Sequence, residues 1–185
     1  MAGQTPAKGK LLIAEPFMGD PNFERSVVLL CEHNEKGSFG LVLNQASELT
    51  LKDVVDGDVY ADVPLGIGGP VEQNTLHFIH RLGGMIEEST RIADGLYWSG
   101  DFDQVKSLLN MGKITPTDIR FFVGYSGWGG GQLVAELAQN AWIVSQADPD
   151  FIFGTPPGQL WRGILRRMEG KYRALANYPT DPRLN

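Results

Sequence analysis

The chain alternates between short apolar runs and turn-rich stretches, and most of the apolar runs have strand length. LLIAEP (11–16) predicts a short strand, SVVLLCEH (26–33) a β-branched central strand, and FGLVLNQ (39–45) its hairpin partner across the NEKGS turn. Between the first two lies FMGDPNFER, a loop in which Asp20-Pro21 favours a turn and Asn22 can bond nearby backbone. LTLKDVVD (49–56) predicts a short helix capped by Thr50, with Asp53 three residues on. VPLGIGGPVE (63–72) reads as a strand entering a Gly-Gly-Pro turn, and TLHFIHRL (75–82) as an alternating strand. EESTRIADGLYWSG leaves room for a strand and a turn.

Helical spacing dominates later in the chain. Asp101 with Gln104 resembles a capping box and opens a helix over 101–112, closed by Gly112. The strand DIRFFVGY (118–125) runs into glycines, and a helix follows with Leu133 and Leu137 on one face. AWIVSQ (141–146) is a strand, and Pro156 opens a last helix that breaks at Gly170. No repeat or linker divides the chain. Residues 1–9 read as a flexible end and 10–185 as a single domain. The class is α+β (mixed α/β): seven to nine strands in a large bent, partly closed sheet, with about three helices.

Composition narrows the function. Of 185 residues 42% are hydrophobic and 21% charged, as in an ordinary globular domain, and the net charge is −6. That balance argues against direct nucleic-acid binding, which calls for a basic stripe. Cys31 is the only cysteine, so no intramolecular disulfide can form. MAGQTPAKGK has no apolar core of a signal peptide, and no run approaches the roughly 18 apolar residues of a membrane helix. The expectation is a soluble cytoplasmic protein with no membrane contact.

The stretch GYSGWGGGQLVAEL (124–137) concentrates the candidate chemistry, because strand, glycine loop and helix is how many proteins hold a phosphate. Three known patterns fail on it. The dinucleotide fingerprint lacks its third glycine, since position 132 is Gln. A Walker loop would need Lys where Gln132 stands. The nucleophile elbow around Ser126 ends in Trp128 instead of glycine. What remains is free backbone N–H groups beside the aromatic surface of Trp128 and the amide of Gln132. The plainer reading, a sharp turn with Trp128 plugging the core, is favoured, since glycine-rich turns are common structural punctuation.

Other candidates are weaker. Cys31 and His33 lie two apart on a strand and so face the same side, where the histidine could activate the thiol. A lone cysteine in VVLLCEH is more often buried packing. His77 and His80, three apart, face opposite sides, and no ligand spacing supports a metal. Asp20, Asn22, Glu24 and Arg25 form a polar loop suited to orienting a substrate or to turn bonding. Arg162, Arg166, Arg167, Lys171 and Arg173 read as a solvated helix face ahead of a nucleic-acid or partner surface.

Taken together, LLIAEPFMGDPNFERSVVLLCEH, GSFGLVLNQ, the GIGGPVE turn and GYSGWGGGQLVAEL resemble the YqgE/AlgH family of bacterial proteins. Their order and spacing match over nearly the whole chain, to the terminal Pro182-Arg183-Leu184-Asn185. The resemblance implies a bent, largely antiparallel sheet folded into a pseudo-barrel and carries a transcriptional-regulator label, but brings no catalytic residues. In the family's pattern a Pro often follows Gly-Trp-Gly; Gly130 stands here, implying a looser turn.

Three functional expectations result. The preferred one is a non-catalytic protein binding a small ligand or a protein partner, with no cofactor and no metal. Its site would lie where Asp20, Asn22, Phe23 and Arg25 converge with Gly127, Trp128, Gly129 and Gln132. On that reading Trp128→Ala weakens binding without unfolding. The second is a hydrolase or transferase using Ser126, or Cys31 with His33. The third is a DNA-binding regulator. Oligomeric state is left open.

Overall fold

The computed structural model describes residues 5–180. The terminal Pro182-Arg183-Leu184-Asn185 block and the first four residues of the expected flexible end lie outside them. At the end of that segment Gly9 is buried and donates its N–H to the Leu30 carbonyl at 2.7 Å.

Among the described residues, ten strands and six α-helices follow in the order β1 (Lys10–Ala14), β2 (Val27–Asn34), β3 (Gly37–Val42), β4 (Ala46–Thr50), α1 (Leu51–Val54), β5 (Pro64–Ile67), β6 (Val71–His80), β7 (Thr90–Ala93), β8 (Leu96–Trp98), α2 (Phe102–Asn110), β9 (Ile119–Gly129), α3 (Gln132–Ala138), β10 (Trp142–Gln146), α4 (Pro149–Gly154), α5 (Pro157–Arg167) and α6 (Lys171–Leu175). The strands form one curled sheet in the order β10-β1-β2-β3-β9-β6-β8-β7, with β5 beside β9 and β4 beside β5. Every pairing is antiparallel except β5 on β9. The bent, largely antiparallel α+β architecture expected from the sequence is therefore present as a half-barrel, and three of its helices have seven residues or more.

The eleven-residue β9 is the spine. Its last residues, Ser126 to Gly129, pair with β3; its earlier part pairs with β5 on one edge and β6 on the other. Two halves of the sheet thus share one strand. The β5–β6 turn is wedged against it: a Cβ at Gly68 would lie 2.4 Å from the Gly124 oxygen, and one at Gly69 2.1 Å from the Tyr125 oxygen. Only glycine permits backbone that close.

The unbroken apolar run of β2 follows from burial on both faces. Val27, Leu29 and Cys31 pack under α5 with Leu160, Trp161, Ile164 and Leu165. Val28 and Leu30 pack on the opposite face with Trp128, Leu133 and Trp142. The Trp161 indole donates to the Ala14 carbonyl at 2.9 Å, tying α5 to β1. A third cluster, including Phe78, Val105, Leu109 and Phe121, joins α2 to the other half of the sheet.

Local signals were obeyed with a few differences. Thr50 and Asp53 form the expected capping box. Asp101 caps α2 by accepting from the Gln104 N–H, but the Gln104 side chain accepts instead from the Glu87 N–H, so the box stays open. Residues 90–98 hold a complete hairpin. Helix α4 was not anticipated, although Asp148 caps it and Pro149 occupies its first turn. The last helix breaks between α5 and α6, where Gly170 has φ 63°.

Candidate functional site

The glycine stretch is mostly strand. Gly127, Trp128 and Gly129 continue β9 and pair with Phe39, Ser38 and Gly37. Only Gly130 and Gly131 turn the chain, with Gly131 at φ 78° before α3. That turn is close-packed and not loose: a Cβ at Gly130 would lie 2.6 Å from the Glu35 oxygen. Gln132 closes it, its side-chain oxygen accepting from the Gly129 N–H at 3.0 Å and its amide donating to Glu136 at 3.3 Å. The other Glu136 oxygen accepts from the indole N–H groups of Trp128, at 2.8 Å, and Trp142, at 2.9 Å.

The two stretches expected to converge meet at one contact. Phe23 stacks on Trp128 with centroids 6.0 Å apart and meets Trp142 edge-on at 5.5 Å. Trp128 is only 5% exposed, so it is a core residue that roofs this cluster. Trp128→Ala would therefore damage packing, and the expectation of a folded, binding-deficient variant is withdrawn. Asp20 and Asn22 stay exposed, with the Asp20 carboxylate accepting from the Asn22 N–H at 2.9 Å. Arg25 is committed elsewhere: its guanidinium donates to the Tyr178 and Pro179 carbonyls and lies 4.6 Å over the Trp161 ring. Burial and the nearby Arg162 push its pKa down. Phe17 and Arg25, at the ends of this loop, both have positive φ, 63° and 52°. Backbone in that region is strained and persists where surrounding contacts hold it.

Neither nucleophile arrangement exists. A β-bulge between Leu30 and Glu32 shifts the register, so Cys31 is the extra residue and His33 pairs with Ser38. Cys31 points into the cluster under α5, while His33 faces the α3 side, with Ser38 and Trp128. The same-face expectation fails because it assumes unbroken period-two alternation, which a one-residue bulge inverts. Burial raises the Cys31 thiol pKa well above its ordinary value, leaving it protonated and unreactive. Ser126 is fully buried and its hydroxyl donates to the Gly68 carbonyl at 3.1 Å.

What the fold assembles is a groove between the β2–β3 hairpin and α3. His33, Ser38, Gly129, Gly131, Leu133 and Val134, with Asn34 and Glu35 of the hairpin turn, line a space of about 450 Å³. His33 Nδ1 and Ser38 Oγ are 2.6 Å apart there. Val134 is 56% exposed and forms an apolar lip. Of the anticipated residues, the groove takes in Gly129 and His33; Ser38 and Val134 were missed. The only available signal was the hairpin itself, which sets Ser38 opposite His33 once the bulge is known. Among the described residues no three His, Cys, Asp or Glu side chains group to hold a metal, and no helix is long and apolar enough to cross a membrane.

Comparison with known proteins agrees with this architecture. A family model described as AlgH-like matches residues 11–173. A UPF0301 protein of Cytophaga hutchinsonii is 46% identical over 179 residues, covering 96% of this chain and 98% of its own. One from Chlorobium luteolum is 43% identical, covering 97% and 95%. Among solved structures, a Corynebacterium diphtheriae protein superposes with a TM-score of 0.78 at 26% identity, covering 96% of this chain and 95% of its own. The AlgH protein from Pseudomonas aeruginosa superposes with a TM-score of 0.73 at 31% identity, covering 95% and 96%.

Proposed function

The chain belongs to the AlgH-like family, and on that premise we propose that it works by binding, without catalysis, in the cytoplasm. The observation that carries the reading is the hairpin–α3 groove. An imidazole–hydroxyl pair, glycine backbone and an apolar lip face one space there, while Cys31 and Ser126 are shut away in the core. Such a site suits a small molecule with one hydrogen-bonding group and an apolar portion. The brace of Phe23, Trp128, Trp142 and Glu136 holds α3 in place, so the groove is formed before a ligand arrives. A regulatory role fits a ligand- or partner-responsive protein better than a DNA reader, since a net charge of −6 opposes the phosphate backbone.

Native mass spectrometry of wild type beside Val134→Arg tests this. Val134 is exposed, so the variant should fold while its side chain fills the groove. A bound mass on the wild type that is lost in the variant is expected. A bare wild type, or a mass kept by both, defeats the assignment. Broad serine- and thiol-directed probes complete the test. The folded protein should stay unlabelled, and labelling of Ser38, the hydroxyl nearest an imidazole, would overturn the non-catalytic reading.

A further inference from the structure

A second groove lies between α4 and α5, away from the hairpin. It encloses about 480 Å³ and is lined by Gly154, Gly158, Gln159, Arg162, Gly163 and Arg166, among others. Residues 157–175 carry five basic side chains against one acidic, in a chain whose net charge is −6. The other arginines among the described residues are occupied. Arg81, Arg91 and Arg167 form ion pairs, and Arg25, Arg120 and Arg173 donate to backbone carbonyls. Among the described residues, Arg162 and Arg166 alone of the arginines have no such partner, and both face this groove. They stand one helical turn apart, with Arg25 near enough to repel Arg162. Two unneutralised guanidinium groups this close favour a bound pair of carboxylates.

The floor is equally unusual. A Cβ at Gly163 would meet the tip of the Phe151 ring at 2.7 Å, so a side chain there would have to push that ring aside. At Gly154 and Gly158 a Cβ would meet nothing within 4 Å, and neither residue has a positive φ. Internal packing therefore does not explain these two glycines, which stand at the end of α4 and in the first turn of α5. Their effect is to leave the groove open above the backbone.

The same chain carries a segment of matching chemistry. Residues 53–62, DVVDGDVYAD, hold four aspartates and no basic residue. Asp56, Asp58, Tyr60 and Asp62 are all exposed, while Val59 and Val63 anchor the segment inward. Tyr60 is 69% exposed and Met111, next to the residue that pins it, 60%. Asn110 holds the segment in shape, accepting from the Tyr60 N–H at 2.9 Å and donating to the Asp58 carbonyl at 2.6 Å. A held loop with a protruding tyrosine ringed by carboxylates is a preorganised docking element. Along α5, Arg162 and Arg166 are about 6 Å apart. Alternate residues of an extended chain are separated by at most about 7 Å, so aspartates two apart can reach both.

We propose that the α4–α5 groove receives the 56–62 segment of a second copy of this chain, Arg162 and Arg166 gripping its aspartates and Tyr60 lying over the glycine floor. A long polyanion fits less well, because the acidic remainder of the surface would repel it beyond the groove.

Sedimentation velocity of the full chain over a concentration series, at low and raised salt, tests the proposal. Wild type should self-associate, and salt should weaken it. Arg162→Glu/Arg166→Glu and Asp56→Arg/Asp58→Arg should each weaken association tenfold or more. An equimolar mixture of the two should associate again, because the unaltered acidic segment of the arginine variant meets the unaltered groove of the aspartate variant. Circular dichroism checks folding, and if the arginine variant unfolds, the aspartate variant and the salt series decide alone. Wild type that stays monomeric throughout, variants that associate like wild type, or a folded mixture that stays monomeric would overturn it. So would a monomeric wild type that instead captures a poly-glutamate peptide, since the groove would then serve a foreign acidic partner.

Discussion

Removing the Glu136 carboxylate should loosen the whole α3 side of the sheet. One of its oxygens accepts two indole N–H groups, from Trp128 and Trp142, which are 5% and 3% exposed. With Glu136→Ala both donors stay buried without a partner. A hydrogen bond to a charged group contributes about 1.5–3 kcal/mol, and a stranded buried donor costs about 1–3 kcal/mol. Glu136 is only half-buried, which argues for the lower end and a total near 3 kcal/mol. At this chain length that lowers the melting temperature by roughly 10 °C. Urea unfolding followed by tryptophan fluorescence measures it, with the midpoint falling and the slope unchanged. A second arm isolates the cause. In a Trp128→Phe/Trp142→Phe background the donors are gone, so Glu136→Ala should then cost less than about 1 kcal/mol. A full loss in that background, or a loss under about 1 kcal/mol in the wild-type background, would refute the clamp.

Gly130→Ala should destabilise by about 1–3 kcal/mol by forcing its Cβ against the Glu35 oxygen, read as a drop in urea midpoint. His80 predicts a pH dependence. It is fully buried; the Leu82 N–H donates to its Nδ1, so Nε2 carries the proton toward Ser99 O and Ser89 Oγ. Burial lowers its pKa, partly offset by the Ser99 carbonyl. The unfolded chain therefore takes up the proton first. Stability is fully present above an unfolded pKa of about 6.5 and falls with decreasing pH toward the folded value, by at most about 1.4 kcal/mol per pH unit. His80→Gln should flatten urea midpoints between about pH 7.5 and 5, apart from a parallel contribution from His77, whose pKa burial also lowers.

Local grammar made much of the fold legible. The β2–β3 hairpin, the Thr50 cap, the start of α2 and the break at Gly170 all stand where nearby residues place them. Helix α4 was missed although its signal, Asp148 before Pro149, is local too; a six-residue helix offers too little periodicity to stand out. The glycine stretch misled for a different reason. Gly127 and Gly129 have poor strand propensity, yet β3 pairs with them and tertiary hydrogen bonds override it.

The candidate site divides along the same line. Sequence alone settles most of the strand runs, though not β4 or the glycine end of β9, and that no known nucleotide or nucleophile pattern is complete. It also shows the family, because the diagnostic blocks are contiguous. Only the tertiary structure decided that Cys31 and His33 face opposite sides, that Ser38 meets His33, and that Arg25 clamps the C-terminal segment. Contacts such as Arg25 with Pro179, 154 residues away, depend on how the sheet curls. A bulge or a shared strand like β9 is set by many weak pairings at once, and no single stretch of residues encodes it.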